Sequence, residues 1–370
     1  MPKTSIEWTD MSINPIRARL NGHVGHYCEK TSPGCKNCYS SHLQPRFGMP
    51  PFKEQRGNSA VEHFFDVSKL KEVLRRRKPT KFFWCDMTDM FGEWVPEGWI
   101  AACFATMAAT HWHTHQVLTK RADRMRRVVP ELYANDGERL IESAEWLAGE
   151  IDACHVGEDE WKFPLGNVHL GVSCEDQPRA DERIPHLLAT PAAVRFVSAE
   201  PLLGALDLTA LDAERAGHDG LYVVDALTGR NRDMGRPCRD APARLDWVIV
   251  GGESGPGARM FELPWGESLV KQCRDAGVPM FFKQVGAKPV HSAEPTGNFR
   301  TSASGERQFQ LTVVPLRISD RKGGNPLDWP ESLRVRQFPC PGEPPASGRT
   351  GNAGVGSDAR PTPAGSSEVS

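Results

Sequence analysis

The chain has 370 residues, 39% hydrophobic and 25% charged, with 45 Lys and Arg against 47 Asp and Glu for a formal net charge of −2. This is an ordinary globular composition, long enough for one large α/β domain or two smaller ones. It excludes a protein coated in positive charge, though not a local basic groove. No run reaches the roughly 18 apolar residues of a membrane helix, and the opening MPKTSIEWTD lacks the apolar stretch of a secretory signal. We therefore expect a cytoplasmic protein with no membrane partner. Thiols stay reduced there, so the ten cysteines are not a disulfide framework.

Three of those cysteines, Cys28, Cys35 and Cys38, fall within eleven residues and spell C-x6-C-x2-C. Pro33 and Gly34 suit a tight turn that brings Cys35 toward Cys28. Soft thiolates at this spacing select zinc or an iron–sulfur cluster. A structural zinc closes its tetrahedron with four protein ligands, whereas a [4Fe–4S] cluster on three thiolates keeps one iron open. His26 or His23 could supply a fourth zinc ligand, so zinc stays as the alternative. The other seven cysteines (Cys85, Cys103, Cys154, Cys174, Cys238, Cys273, Cys340) are scattered and read as small buried hydrophobes.

From about Lys81 to Gly286 short apolar runs alternate with helical patterns. The predicted strands are Lys81–Met87, His115–Thr119, Val168–Ser173, Val194–Ser198, Trp247–Val250 and Met280–Phe282, nearly continuously apolar as buried parallel strands are. Pro96 can start a helix carrying Ile100, Phe104 and Met107 on one face. Leu140, Ala144, Leu147 and Ile151 repeat that spacing, as do Trp265, Leu269 and Cys273 before a turn at Gly277. Repeated β-α units mean an α/β fold with a parallel sheet. Polar motifs recur at nearly every strand end, which favours a partial (β/α) barrel of the TIM type. We assign residues 1–339 to this one domain, with a charged insertion at 207–245 read as a lid or surface excursion. Residues 340–370, rich in Gly, Pro, Ser and Ala, read as a disordered tail.

In such barrels the site is built at the C-terminal ends of the strands. Those ends carry Asp86 and Asp89, Lys120 and Arg121, Ser173 and Glu175, Glu200, Glu253 and Ser254, and Lys283 and Gln284. The set suits a zwitterionic nucleoside such as S-adenosylmethionine (SAM). Lys120 and Lys283 would meet its carboxylate, and Ser173, Glu175 or Glu200 its ribose hydroxyls. Gly251 and Gly252, beside Ser254, would let backbone approach the adenosine. Glu200, Glu253, Lys120 and Lys283 are the candidates for binding or proton transfer.

Other features rank lower. His111, His113 and His115 alternate as if on one strand face; a metal is conceivable there, but partly exposed residues at a strand entry are the simpler reading. The run Arg75–Lys78, with Arg121, Arg124, Arg126 and Arg127, could meet phosphates, yet reads first as solvated surface. Trp84, Trp94 and Trp99 read as core.

TSIEWTD at Thr4–Asp10, Asn14–Pro15, SPGCKNCY at Ser32–Tyr39, LTKR, SAEPLL, GGESGPGAR and FKQVG occur in this order. Together they resemble the phage gene-product 37 / gene-product 68 family, of unknown function, from Thr4 to about Pro339. The resemblance implies kinship with radical SAM enzymes: a [4Fe–4S] cluster on Cys28, Cys35 and Cys38, SAM, an external electron donor and an unknown substrate. Nucleic acid or a nucleotide is the attractive substrate class, with a partner protein as a further expectation. The usual radical SAM spacing is C-x3-C-x2-C with an aromatic before the last cysteine; here the first gap is longer and Tyr39 follows Cys38. Two rivals remain: a zinc-stabilised module binding nucleic acid or protein without catalysis, and a magnesium hydrolase using Asp86, Asp89 and Glu200.

Overall fold

In a computed structural model of the protein, residues 4–151, 161–212, 223–231, 243–301 and 307–339 are described. The 340–370 tail lies outside them, as do 213–222 and 232–242 of the insertion. Seven strands form one sheet: β1 (Met11–Ile13), β2 (Lys81–Trp84), β3 (Thr114–Thr119), β4 (Val168–Ser173), β5 (Val194–Ala199), β6 (Trp247–Gly251) and β7 (Met280–Gln284). Their spatial order follows the chain, and every neighbouring pair is parallel. The expected partial (β/α) barrel is thus the fold.

Alternation along each strand divides the core in two. Phe82, Trp84, Val117, Leu170, Val172, Val197 and Phe282 join the large cluster under the helices. That layer is α1 (Val67–Leu74), α2 (Glu97–Ala108), α3 (Ala122–Tyr133), α4 (Glu138–Ile151), α5 (Gln177–Leu188) and α6 (Leu263–Ala276). The concave face carries Phe83, Phe196, Trp247, Ile249 and Phe281 around Trp8. A half-barrel leaves that face open, and the N-terminal segment fills it: the Trp8 ring sits 4.7 Å from Phe83, 6.3 Å from Phe196 and 6.2 Å from Trp247.

Two sequence expectations change. The strand predicted over Lys81–Met87 stops at Trp84, because Cys85 adopts φ of 60° and turns the chain; Asp86 and Met87 thereby reach the rim. The histidines do not alternate on a strand, since 111–113 are a turn and only His115 lies in β3. Far from exposed, His113 and His115 are buried. His115 Nδ1 accepts from Trp84 Nε1 at 3.0 Å, and its Nε2 meets the Thr110 hydroxyl at 3.0 Å.

Smaller sheets decorate this frame. Ile16–Leu20 pairs antiparallel with His23–Gly25 and Glu62–Phe65, and a long hairpin joins Pro289–Thr301 to Arg307–Pro315. The described part of the insertion pairs Leu211–Asp212, Val223–Asp225 and Arg230–Asn231. Leu208 and Leu227 are buried there, and Gln272 of α6 holds the Leu208 N–H and the carbonyl of the preceding Leu206 at 2.8 Å each. This part packs on the helical layer.

Candidate active site at the strand ends

A cavity of about 620 Å³ opens at the C-terminal ends of the strands. Its floor is apolar, made by Ile6, Trp8, Phe83 and Leu118, and its walls are polar. The C-terminal end of a parallel sheet is where side chains from successive loops converge, which is why one cavity collects residues from across the chain.

One wall is the cysteine loop. The hairpin ending at Gly25 delivers the chain to Cys28; a short turn over Pro33–Cys35 and a helix over Tyr39–Leu43 follow. Cys28, Cys35 and Cys38 all line the cavity. Burial, and then the Asp89 carboxylate, push the Cys28 thiol up. Burial also acts to raise Cys35, but the Lys120 ammonium and hydrogen bonds from Thr31 and Ser32 hold it below its ordinary value. Both hydroxyls lie 3.9 Å from its sulfur.

Two carboxylates anchor this loop from different strands. Glu175, just past β4, accepts the Gly34 N–H at 2.9 Å and is fully buried. Arg183 on α5 donates to it at 3.1 Å and to the Ser173 carbonyl at 2.7 Å. Glu253, past β6, accepts from Asn37 Nδ2 at 3.0 Å and binds Arg259 through both oxygens, at 2.6 and 2.9 Å. Arg259 in turn donates to the Pro33 carbonyl at 2.9 Å. Burial works against both carboxylates, yet their arginines keep them below the ordinary carboxylate range.

The facing wall carries cations. Lys120 Nζ donates to Ser173 Oγ at 2.8 Å, and Lys283 Nζ sits 2.9 Å from Glu200 Oε1. Ser198 steadies the other Glu200 oxygen at 3.3 Å. On a third side, Asp86 accepts from Asn14 Nδ2 at 2.6 Å and from the Tyr39 hydroxyl at 3.1 Å. Burial pushes the Asp86 carboxyl up, and those bonds offset only part of it.

The predicted residues therefore separate. Cys28, Cys35, Cys38, Lys120, Ser173, Glu200, Gly252, Glu253, Ser254 and Lys283 line the cavity; Glu175 and Gly251 do not. Glu175 is shared between the Gly34 N–H and Arg183, and Glu253, though it lines the cavity, between Asn37 and Arg259. The two glycines also have local reasons to be bare. A Cβ on Gly251 would meet Glu200 Oε1 at 2.6 Å, and one on Gly252 would meet the Val285 carbonyl oxygen at 2.3 Å.

The magnesium reading meets a specific obstacle. Asp89 is saturated by Phe91 N, Thr119 Oγ1, Lys120 N and Arg121 Nη1, at 3.0, 2.7, 3.1 and 3.0 Å, which leaves no oxygen for magnesium. Among the described residues no three His, Cys, Asp or Glu side chains converge on a point that could hold one metal ion. His26 is buried, with its ring 5.6 Å from Phe47, and is not part of the cavity lining. Of the basic runs, Arg121 lines the cavity and pairs there with Asp89 at 3.0 Å. Arg124 donates to the Gly92 and Val95 carbonyls, and Arg77 covers the Trp112 ring before β2, at the end of the sheet away from the cavity.

Sequence reasoning missed Asn14, Asn37, Tyr39 and Arg259 as site builders. Each lies inside a quoted motif, but their partners are more than 40 residues away in sequence or on another loop.

Fold and site together define a parallel half-barrel with a three-thiol, cation-walled cavity at its strand ends. The chain belongs to the family described as "Protein of unknown function (DUF5131)", whose model matches residues 3–331. No curated protein and no solved structure matches it. Among the described residues no helix is long and apolar enough to cross a membrane.

Proposed function

We propose that this protein is an iron–sulfur enzyme of the radical SAM type, related to the phage gene-product 37 / gene-product 68 proteins it resembles. The observation that carries the reading is the meeting, in one cavity, of three free cysteines with two lysines on the facing wall. Cys28, Cys35 and Cys38 would hold a [4Fe–4S] cluster, as thiolates do in such clusters. With SAM and one electron from an external donor, that cofactor supplies reductive cleavage to methionine and a 5′-deoxyadenosyl radical.

The chain's own residues do the rest. Lys120, unpaired by any described carboxylate, is the cation for the SAM carboxylate. Lys283 and Glu200 neutralise each other and present donors and an acceptor to hydroxyl groups. Asp86, held by Asn14 and Tyr39 and raised above its ordinary value by burial, is the candidate for carrying a proton. Ile6, Trp8, Phe83 and Leu118 exclude water beneath them.

The test is purification without oxygen, iron and sulfide analysis, and a SAM cleavage assay with a chemical reductant. About four irons per chain and 5′-deoxyadenosine are expected; one zinc per chain and no iron would refute the reading.

A further inference from the structure

We propose that the mouth of the cavity binds single-stranded nucleic acid and presents one base to the strand ends. This deepens the proposed function, resting on it for the chemistry done to the base, but the binding itself stands on separate observations.

The first is charge. The chain is net negative, yet between Cys28 and Arg56 five basic residues (Lys30, Lys36, Arg46, Lys53, Arg56) face two acidic ones (Glu29, Glu54). Lys30 and Lys36 lie on the cysteine loop, between lining residues. Lys53 follows the lining Phe52, and Lys322 lines the cavity itself. All four lysines are exposed. Some bases elsewhere find carboxylates, as in Lys69–Glu72 at 2.6 Å, Arg139–Glu97 at 3.0 Å and the exposed Lys271–Asp275 at 2.6 Å. None of these four makes an ion pair with a described carboxylate, and Glu29 is taken up by the Tyr27 hydroxyl at 2.6 Å. Exposed cations on and beside the segments that line a cavity are the electrostatic footprint of a phosphate chain.

The second observation is aromatic. Tyr39 is 50% exposed and lines the cavity, its hydroxyl fixed 2.7 Å from the Asp86 carbonyl, so its ring is held in place with a face available. Fixed aromatic faces beside a basic track are how proteins hold unstacked bases. The floor below is aromatic and aliphatic, suited to a flat ring. A base inside a duplex cannot reach such a floor without leaving its stack, which favours a single strand over a duplex.

The experiment is fluorescence anisotropy of the full-length protein, as purified, with a labelled 20-nucleotide single strand of DNA, the same sequence in RNA, and the DNA duplex. Single strands are expected to bind more tightly than the duplex; the DNA and RNA arms identify which is preferred. The salt slope for single strands is about 0.7 per phosphate neutralised, so Lys30→Ala/Lys36→Ala/Lys53→Ala together should flatten it by about 2. Tyr39→Ala should weaken binding about tenfold or more while Tyr39→Phe keeps it, because stacking needs the ring and not the hydroxyl. No binding at about 50 mM salt, an unchanged slope in the triple variant, duplex preference, or equal competition by polyglutamate would each overturn the inference. The last would instead mark an acidic protein partner. The assay reads neither iron nor SAM, so a zinc-only result in the metal analysis above would refute the proposed chemistry and leave this inference standing.

Discussion

Replacing Glu175 by glutamine tests whether the cysteine loop is built before any cofactor arrives. Glu175 and Arg183 are 0% and 2% exposed and 3.1 Å apart. Removing one charge of such a pair leaves the other buried and uncompensated, at a cost of about 3–5 kcal/mol. The introduced amide keeps an oxygen for the Gly34 N–H, so Glu175→Gln should cost about 3 kcal/mol, at the low end of that range. With a urea slope of about 3 kcal/mol/M the midpoint falls by about 1 M. Because Gly34 sits between Cys28 and Cys35, alkylation of Cys35 and Cys38 should quicken in the same variant. Arginine holds the Glu175 carboxyl below its ordinary value despite burial. Its contribution is therefore present above the unfolded value of about 4.3 and lost as pH falls through the folded value. The gap between wild type and variant should stay constant from neutral pH to about 5 and close below about 4. A double variant, Glu175→Leu with Arg183→Met, should recover much of the stability while Cys35 stays fast to alkylate. A loss under about 1 kcal/mol with unchanged labelling would refute the anchoring role.

Three further outcomes follow from the same geometry. Trp8→Ala empties the concave core and should cost about 3–5 kcal/mol in urea denaturation; a loss under about 1 kcal/mol would mean that the half-barrel does not need its N-terminal plug. Lys283→Met should weaken SAM binding, read by equilibrium dialysis, about tenfold. It should cost only about 1 kcal/mol of stability, since the pair with Glu200 is 21% and 15% exposed. Burial lowers His115 to about 3 and His169 to about 4. Both fold neutral and are protonated on unfolding below about 6.5, so each adds stability above that value that is lost as pH falls. Together they should steepen the loss by about 2.7 kcal/mol per pH unit between about pH 6 and 4, and His115→Gln should remove about half of that slope.

Much of the fold is legible in the sequence because its signal is local. Six of the seven strands can be read to within a few residues, since a strand buried on both faces is an unbroken apolar run. The seventh, Met11–Ile13, has three residues and no periodicity to show. The stop at Trp84 is hidden because it rests on one left-handed residue, Cys85, whose identity carries no turn signal. His113 and His115 mislead for a related reason. Polar type argues for exposure, but Trp84, 31 residues away, and Thr110, five residues away, satisfy the His115 ring and let it be buried.

The site is legible as a set and illegible in its division of labour. Each charged group at a strand end looks equally like a ligand-binding group, because a rim position says where a side chain starts and not what it meets. Glu175 and Glu253 differ from Glu200 only in the arginine that reaches them, and both arginines lie within eight residues of their carboxylates. A Glu followed by an Arg six or eight positions on, across the strand-to-helix turn, is thus the pattern that separates an anchor from a free group here. Glu200 has no such arginine and pairs instead with Lys283 from a separate strand. That division has a physical sense. The loop that carries three cysteines to the cavity is fixed from outside, at the Gly34 N–H, the Pro33 carbonyl and the Asn37 side chain. Carboxylates already neutralised by arginine can fix its backbone through Gly34, Pro33 and Asn37 without adding net negative charge beside the sulfurs. The positive groups left over, Lys120 above all, are then free to face whatever anion the cavity takes in.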